Sequence, residues 1–127
     1  MMMNLLLIAI GGAVGSLARY GTAVVFAGPP DRTTFPWGTL AANLIGCLLI
    51  GYINGLLLDK VLRPEMRFLL TIGFLGGYTT FSTFGYETAT FLRDGSYARA
   101  AAYVMLSNIA GIVLVFAGLA LARFTRT

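Results

Sequence analysis

The chain has 127 residues, of which 57% are apolar and 11% charged, and its mean hydropathy is +0.81. That composition excludes an ordinary water-soluble domain, and the low charge excludes a disordered chain. Nine Lys and Arg against five Asp and Glu give a net charge of +4, but no block of like charges exists that could face a nucleic acid, so no such partner is expected. With one cysteine, Cys47, and no histidine, an internal disulfide and a zinc or redox cluster are also excluded. What remains is one membrane domain occupying residues 1–127.

The charged residues divide the chain into stretches long enough to cross a bilayer core, which needs about 20 apolar residues per helix. The first runs from Leu5 to Ala27 and is interrupted only by Arg19. It has no basic residue ahead of its apolar run, so it is expected to be a retained helix rather than a cleaved signal. The second runs uncharged from Thr33 to Leu58, with Pro36 just outside the helix, which is expected over 38–58. The third runs from Phe68 to Leu92 and contains Glu87 near one end; the fourth runs from Ala100 to Ala122. Backbone groups cannot stay unpaired in lipid and period-two alternation is absent, so all four are expected to be helices. Short connectors hold Asp31 and Arg32, then Asp59 to Arg67, then Arg93 to Arg99.

Four spans put both termini on one side, with Lys60, Arg63, Arg67, Arg123 and Arg126. The other side has Arg32, Arg93 and Arg99, joined by Arg19 if its side chain reaches that interface. So even a balance permits insertion in both directions, and hence an antiparallel pair of identical subunits. It equally permits the usual single orientation with the termini inside.

Polar residues inside the spans cost free energy unless they are paired or face a cavity. Asn43 lies one turn after Thr39 on the second span, and Tyr103 and Ser107 recur at i and i+4 on the fourth, with Asn108 adjacent and Gly111 one turn on. Each set fits either interhelical hydrogen bonding or a polar track. The glycine pairs Gly11/Gly15, Gly51/Gly55 and Gly73/Gly77 fit close helix packing. Arg19 fits either an aqueous vestibule or snorkelling to the interface.

The most specific stretch is Gly76 to Phe84, GGYTTFSTF. Two glycines followed by Thr79, Thr80, Ser82 and Thr83 disfavour a smooth helix, and a mid-membrane break exposes backbone groups that must be buried in protein or line an ion site. The freed carbonyls of Gly76 and Thr79 would suit a hard cation such as Na⁺. Phe81 and Phe84, three residues apart, share a face. They fit core packing, or beside a polar track their positive ring edges fit an anion.

With GGAVGSLARY at Gly11 to Tyr20, GTLAANLIG at Gly38 to Gly46 and GFLGGYTTFSTF at Gly73 to Phe84, the sequence resembles the Fluc/CrcB family of small fluoride channels. The match is ordered along nearly the whole chain. The resemblance implies an all-α membrane protein in a bacterial plasma (inner) membrane, with four transmembrane helices per subunit and a broken third helix. It further implies an antiparallel dual-topology homodimer in the lipid bilayer, with two fluoride pores along the subunit interface. Carried over residue by residue, it implies that Asn43, Phe81, Phe84, Tyr103 and Ser107 line the fluoride pathway, with Ser82 and Thr83 as secondary contacts; Thr39, on the same helix face as Asn43, is expected on the pathway with it. It also implies that the Gly76 and Thr79 carbonyls of both subunits hold a structural Na⁺. Arg19 matches the family's first-helix arginine, expected at a vestibule, and Glu87 its acidic residue after the third-helix motif. One departure is Gly111, where some members carry a further hydroxyl.

Fluoride is small and strongly hydrated, so a pore must replace its water with close donors. The Asn43 amide, the Ser107 and Tyr103 hydroxyls and the Phe81 and Phe84 ring edges are suitable, and a narrow path would reject chloride. Nothing resembles a nucleotide-binding loop or a proton relay, so flow is expected to be passive and outward. A proton-coupled small exporter would need an essential membrane carboxylate, for which only Glu87 is a candidate. A noncatalytic assembly subunit would conduct nothing. No paired carboxylates, nucleophile with base or metal cluster points to an enzyme.

Overall fold

The computed structural model describes residues 1–28 and 34–125. Thr33, Asp31, Arg32 and Arg126, used above to mark a span and its flanking charges, lie outside the described residues. The elements in order are α1 (Met2–Val25), α2 (Trp37–Leu58), α3, α4 (Phe81–Arg93) and α5 (Tyr97–Thr125). α3 opens as a π-helical stretch, Phe68–Leu75, and closes with an α-helical turn, Gly76–Tyr78.

Three helices, α1, α2 and α5, are each long and apolar enough to cross a membrane. Residues 68–93 are covered instead by two shorter segments, α3 and α4, separated by Thr79 and Thr80 in extended conformation. α1 starts three residues before the expected Leu5. α5 is longer than expected at both ends, taking in Tyr97 to Arg99 and continuing past Ala122 to Thr125. The physical reason is that a charge marks where side chains leave hydrocarbon, whereas backbone hydrogen bonding continues into the headgroup region. Gly95, with φ +71°, lets the chain reverse between α4 and α5 in a left-handed conformation that costs glycine little.

Packing follows the glycines. The buried residues of α1 are Gly11 and Gly15, while Leu5, Leu6, Ile10, Val14 and Leu17 on the same helix are exposed. Small residues inside and large apolar residues outside are the arrangement of helices solvated by lipid. α1 lies on α3, and α2 lies along α5. A Cβ on Gly11 would overlap the Leu69 carbonyl oxygen, and one on Gly118 would overlap that of Leu48. These contacts bring backbones close enough for dispersion to act over whole helix faces.

The larger buried side chains gather around Tyr103, which is fully buried with Leu40, Phe91 and Ala100, flanked by Phe35, Leu44 and Phe84. Phe35 meets Tyr103 edge-on at 5.3 Å. This cluster fixes α4 against α2 and α5, and so positions the residues at the start of α4.

Candidate functional site

Thr79 and Thr80 are where backbone pairing has to be found elsewhere. In a continuous helix the Gly76 carbonyl would accept from the Thr80 N–H, and the Thr79 carbonyl from the Thr83 N–H. Neither donor is directed that way. The Thr80 N–H donates to Asn43 Oδ1 at 2.8 Å, and the Thr83 N–H donates to Thr80 Oγ1 at 3.2 Å, capping α4. The helical donors for the Gly76 and Thr79 carbonyls are thus taken by side chains, leaving those oxygens with lone pairs suited to a hard cation.

Asn43 closes a second bond, Nδ2 donating to the Thr80 carbonyl at 3.0 Å. Its carboxamide therefore pairs both backbone groups of one extended residue, as a neighbouring strand would. Thr79 N–H and Oγ1 both donate to the Leu75 carbonyl, and the Thr79 methyl seats against Gly46, where a Cβ would overlap it. Tyr78, just before, bonds Thr22 of α1 through its hydroxyl at 3.0 Å. The segment is held from α1 and α2 together.

A cavity of about 360 Å³ opens beside it. Its walls include Asn43 from α2, Gly76 and Thr79 from around the extended residues, Phe81 and Phe84 from α4, and Ser107 from α5. The Phe81 and Phe84 rings lie 5.6 Å apart, tilted by 44°. Phe81 is 84% exposed on the single chain, so its outer face is left for lipid or another subunit. Ser107 Oγ is buried with no hydrogen-bond partner.

Tyr103 and Thr39 are placed differently from these. The Tyr103 hydroxyl donates to Glu87 Oε2 at 2.6 Å, and the Thr39 hydroxyl donates to Glu87 Oε1 at 2.7 Å. Neither residue lines the cavity that holds Asn43 and Ser107. Thr39 and Thr83 line a separate cavity, also of about 360 Å³, together with Arg19 and Thr80. Ser82 meets Thr80 Oγ1 through its hydroxyl at 3.3 Å. Two residues that the sequence did not place on the fluoride pathway take central positions: Thr80 is the hub of the α4 cap and of the Asn43 pairing, and Glu87 the junction of two hydroxyls. A threonine directly after a helix-breaking run and before FSTF is the N-cap signal that identifies Thr80.

Fold and site together define a small helical membrane protein with a cavity between its helices whose mostly apolar wall carries a few polar side chains. A family model described as CrcB-like protein, Camphor Resistance (CrcB), matches residues 6–119, and the chain belongs to that family. It is 48% identical over 123 residues to the fluoride-specific ion channel FluC of Chlorobaculum tepidum, covering 96% of each chain. It is 47% identical over 117 residues to the protein of the same name from Leptospira interrogans serovar copenhageni, covering 91% of each. Against that of Methylobacillus flagellatus the identity is 42% over 125 residues, covering 98% of each. These relatives are named as channels, not as enzymes.

Proposed function

We propose that this chain forms a fluoride-selective channel that lets fluoride leave the cytoplasm passively across a bacterial plasma membrane. The observation that carries the reading is the convergence of Asn43, Phe81, Phe84 and Ser107, from three helices, on one cavity, in a chain nearly half identical to proteins named as fluoride channels. The working unit is an antiparallel dual-topology homodimer. Its third membrane crossing is discontinuous, with α3 and α4 as the two halves. The exposed Phe81 ring and the nearly balanced loop charges support that arrangement.

The chemistry follows from the donors. Asn43 spends one amide hydrogen on Thr80 and keeps the other, Ser107 has an uncommitted hydroxyl, and the Phe81 and Phe84 ring edges carry partial positive charge. Close neutral donors can replace fluoride's water without holding it tightly, which conduction requires. Tyr103 and Thr39 act on the path through Glu87, which they orient. Arg19 raises the local anion concentration in its vestibule.

The Gly76 and Thr79 carbonyls, each without its helical donor, fit a structural Na⁺ shared between two copies. Bound there, the cation supplies positive charge near the path and ties the subunits together. The test is fluoride efflux from liposomes containing the purified protein, followed with a fluoride electrode beside a chloride control. Rapid fluoride release with little chloride release is expected. No fluoride release from a verified dimer in Na⁺ buffer overturns the reading in favour of an assembly subunit.

A further inference from the structure

The threonine hydroxyls on these helices are nearly all committed. Thr22, Thr79, Thr88, Thr90 and Thr125 each donate to the carbonyl four residues back. Thr39, Thr80 and Thr83 are bonded to side chains or caps. Among the described residues, the buried side-chain polar atoms with no partner are Thr71 Oγ1 and Ser107 Oγ.

Both residues line the same cavity, Thr71 from α3 and Ser107 from α5. Thr71 lies in the π-helical stretch, where side chains stand in a different register against the carbonyls of the preceding turn than in an α-helix. That explains why it does not make the local bond its fellow threonines make. A buried hydroxyl that has given up water and gained no partner is a standing cost. Both residues belong to the lining of one cavity, so a polar occupant there would give the two hydroxyls the partner they lack. Among the described residues no carboxylate lines the cavity, so an anion there would meet neutral donors rather than a negative side chain.

We propose that Thr71 is an anion-coordinating residue of this channel: its hydroxyl, with that of Ser107, donates to the small anion passing through the cavity. This rests on the fluoride-channel reading and adds to it a donor from α3, so that α2, α3 and α5 each contribute one polar group to the path. A threonine hydroxyl donating to fluoride keeps its proton.

The test compares the wild-type chain with Thr71→Val, which keeps the shape and removes the hydroxyl, and with Thr71→Ser, which keeps the hydroxyl. In liposomes, T71V is expected to slow fluoride efflux about tenfold, the change that one lost hydrogen bond to a charged group gives, with T71S within about twofold of wild type. The fluoride-over-chloride ratio should fall in T71V alone. A purely structural hydroxyl predicts the opposite pattern, because removing an unpaired buried hydroxyl leaves melting and flux unchanged or improved. T71V conducting like wild type, or T71S as slow as T71V, overturns the proposal. Should T71V not fold, Thr71→Ala carries the same comparison.

A second readout does not depend on conduction. Melting of the wild-type protein should rise when chloride is replaced by fluoride, and the rise should be lost in T71V. If wild type releases no fluoride yet shows that rise and T71V lacks it, the channel reading fails and the Thr71 site stands. If T71V keeps the full rise, the Thr71 site fails whatever the flux.

Discussion

Asn43 and Thr80, 37 residues apart in the chain, are joined by a reciprocal pair of hydrogen bonds: the Thr80 N–H donates to Asn43 Oδ1 at 2.8 Å, and Asn43 Nδ2 donates to the Thr80 carbonyl at 3.0 Å. The amide side chain completes the pairing of an extended residue in a region where lipid cannot do so. One residue thereby secures the backbone and also lines the cavity.

Asn43→Leu, close in volume, should therefore lose stability as well as flux. Each abandoned backbone group costs about 1–3 kcal/mol when buried. Asn43→Asp keeps the acceptor for the Thr80 N–H but sets a carboxylate against the Thr80 carbonyl, and should melt no higher than wild type. Thermal unfolding in detergent and fluoride efflux from liposomes are measured on the same preparations. N43L melting like wild type would show that the pairing contributes nothing.

Gly118 and Gly21 should respond oppositely to the same substitution. A Cβ on Gly118 would overlap the Leu48 carbonyl and lie 2.7 Å from the Tyr52 nitrogen, whereas at Gly21 nothing lies within 4 Å. Gly118→Ala forces α2 and α5 apart and should cost about 1–3 kcal/mol. Gly21→Ala, within α1, should gain about 0.5–1 kcal/mol from the lower backbone entropy of the unfolded chain. Melting temperatures of the two variants, measured side by side, test the packing directly.

The helices are legible in the sequence because charge and apolar length are local properties. The extended residues Thr79 and Thr80 fall within GGYTTFSTF, whose glycines and hydroxyls disfavour helix without any help from the rest of the fold. What Asn43 does was not legible. A lone asparagine in an apolar helix fits a pore, an interhelical bond or a backbone clamp equally, and Thr80 is brought to it only by tertiary packing. The i, i+4 spacing of Tyr103 and Ser107 suggested one track, but Glu87, 16 residues before Tyr103, takes the tyrosine hydroxyl. Thr71 gave no signal at all: it sits in an uncharged run, and its isolation depends on the π-helical register.

Glu87 accepts from Thr39 on one oxygen and Tyr103 on the other, so the two donors share a partner and their losses should not add. Thr39→Val and Tyr103→Phe should each destabilise by about 1–3 kcal/mol. The double variant should depart from the sum by about 0.5 kcal/mol or more, the mark of residues in one network. Equilibrium unfolding of the four proteins in the cycle supplies the coupling, and strict additivity would mean that Glu87 does not hold both hydroxyls at once.

Removal of Na⁺ tests the proposed cation site, since backbone carbonyls cannot be deleted by substitution. Something that binds only the folded dimer stabilises it by mass action, by about 2.7 kcal/mol at 100 times its Kd. Exchange of Na⁺ for N-methylglucamine, which is too large for a carbonyl cage, should lower the melting temperature, increase the monomer fraction and reduce fluoride efflux together. Restoring Na⁺ should reverse all three. The Asn43→Leu variant sharpens the result: with its clamp gone, the Thr80 N–H is free to return to the Gly76 carbonyl, so this variant should respond less to Na⁺ than wild type. An equal Na⁺ response in both proteins would detach the cation from these carbonyls, and no response in either would remove it from the fold.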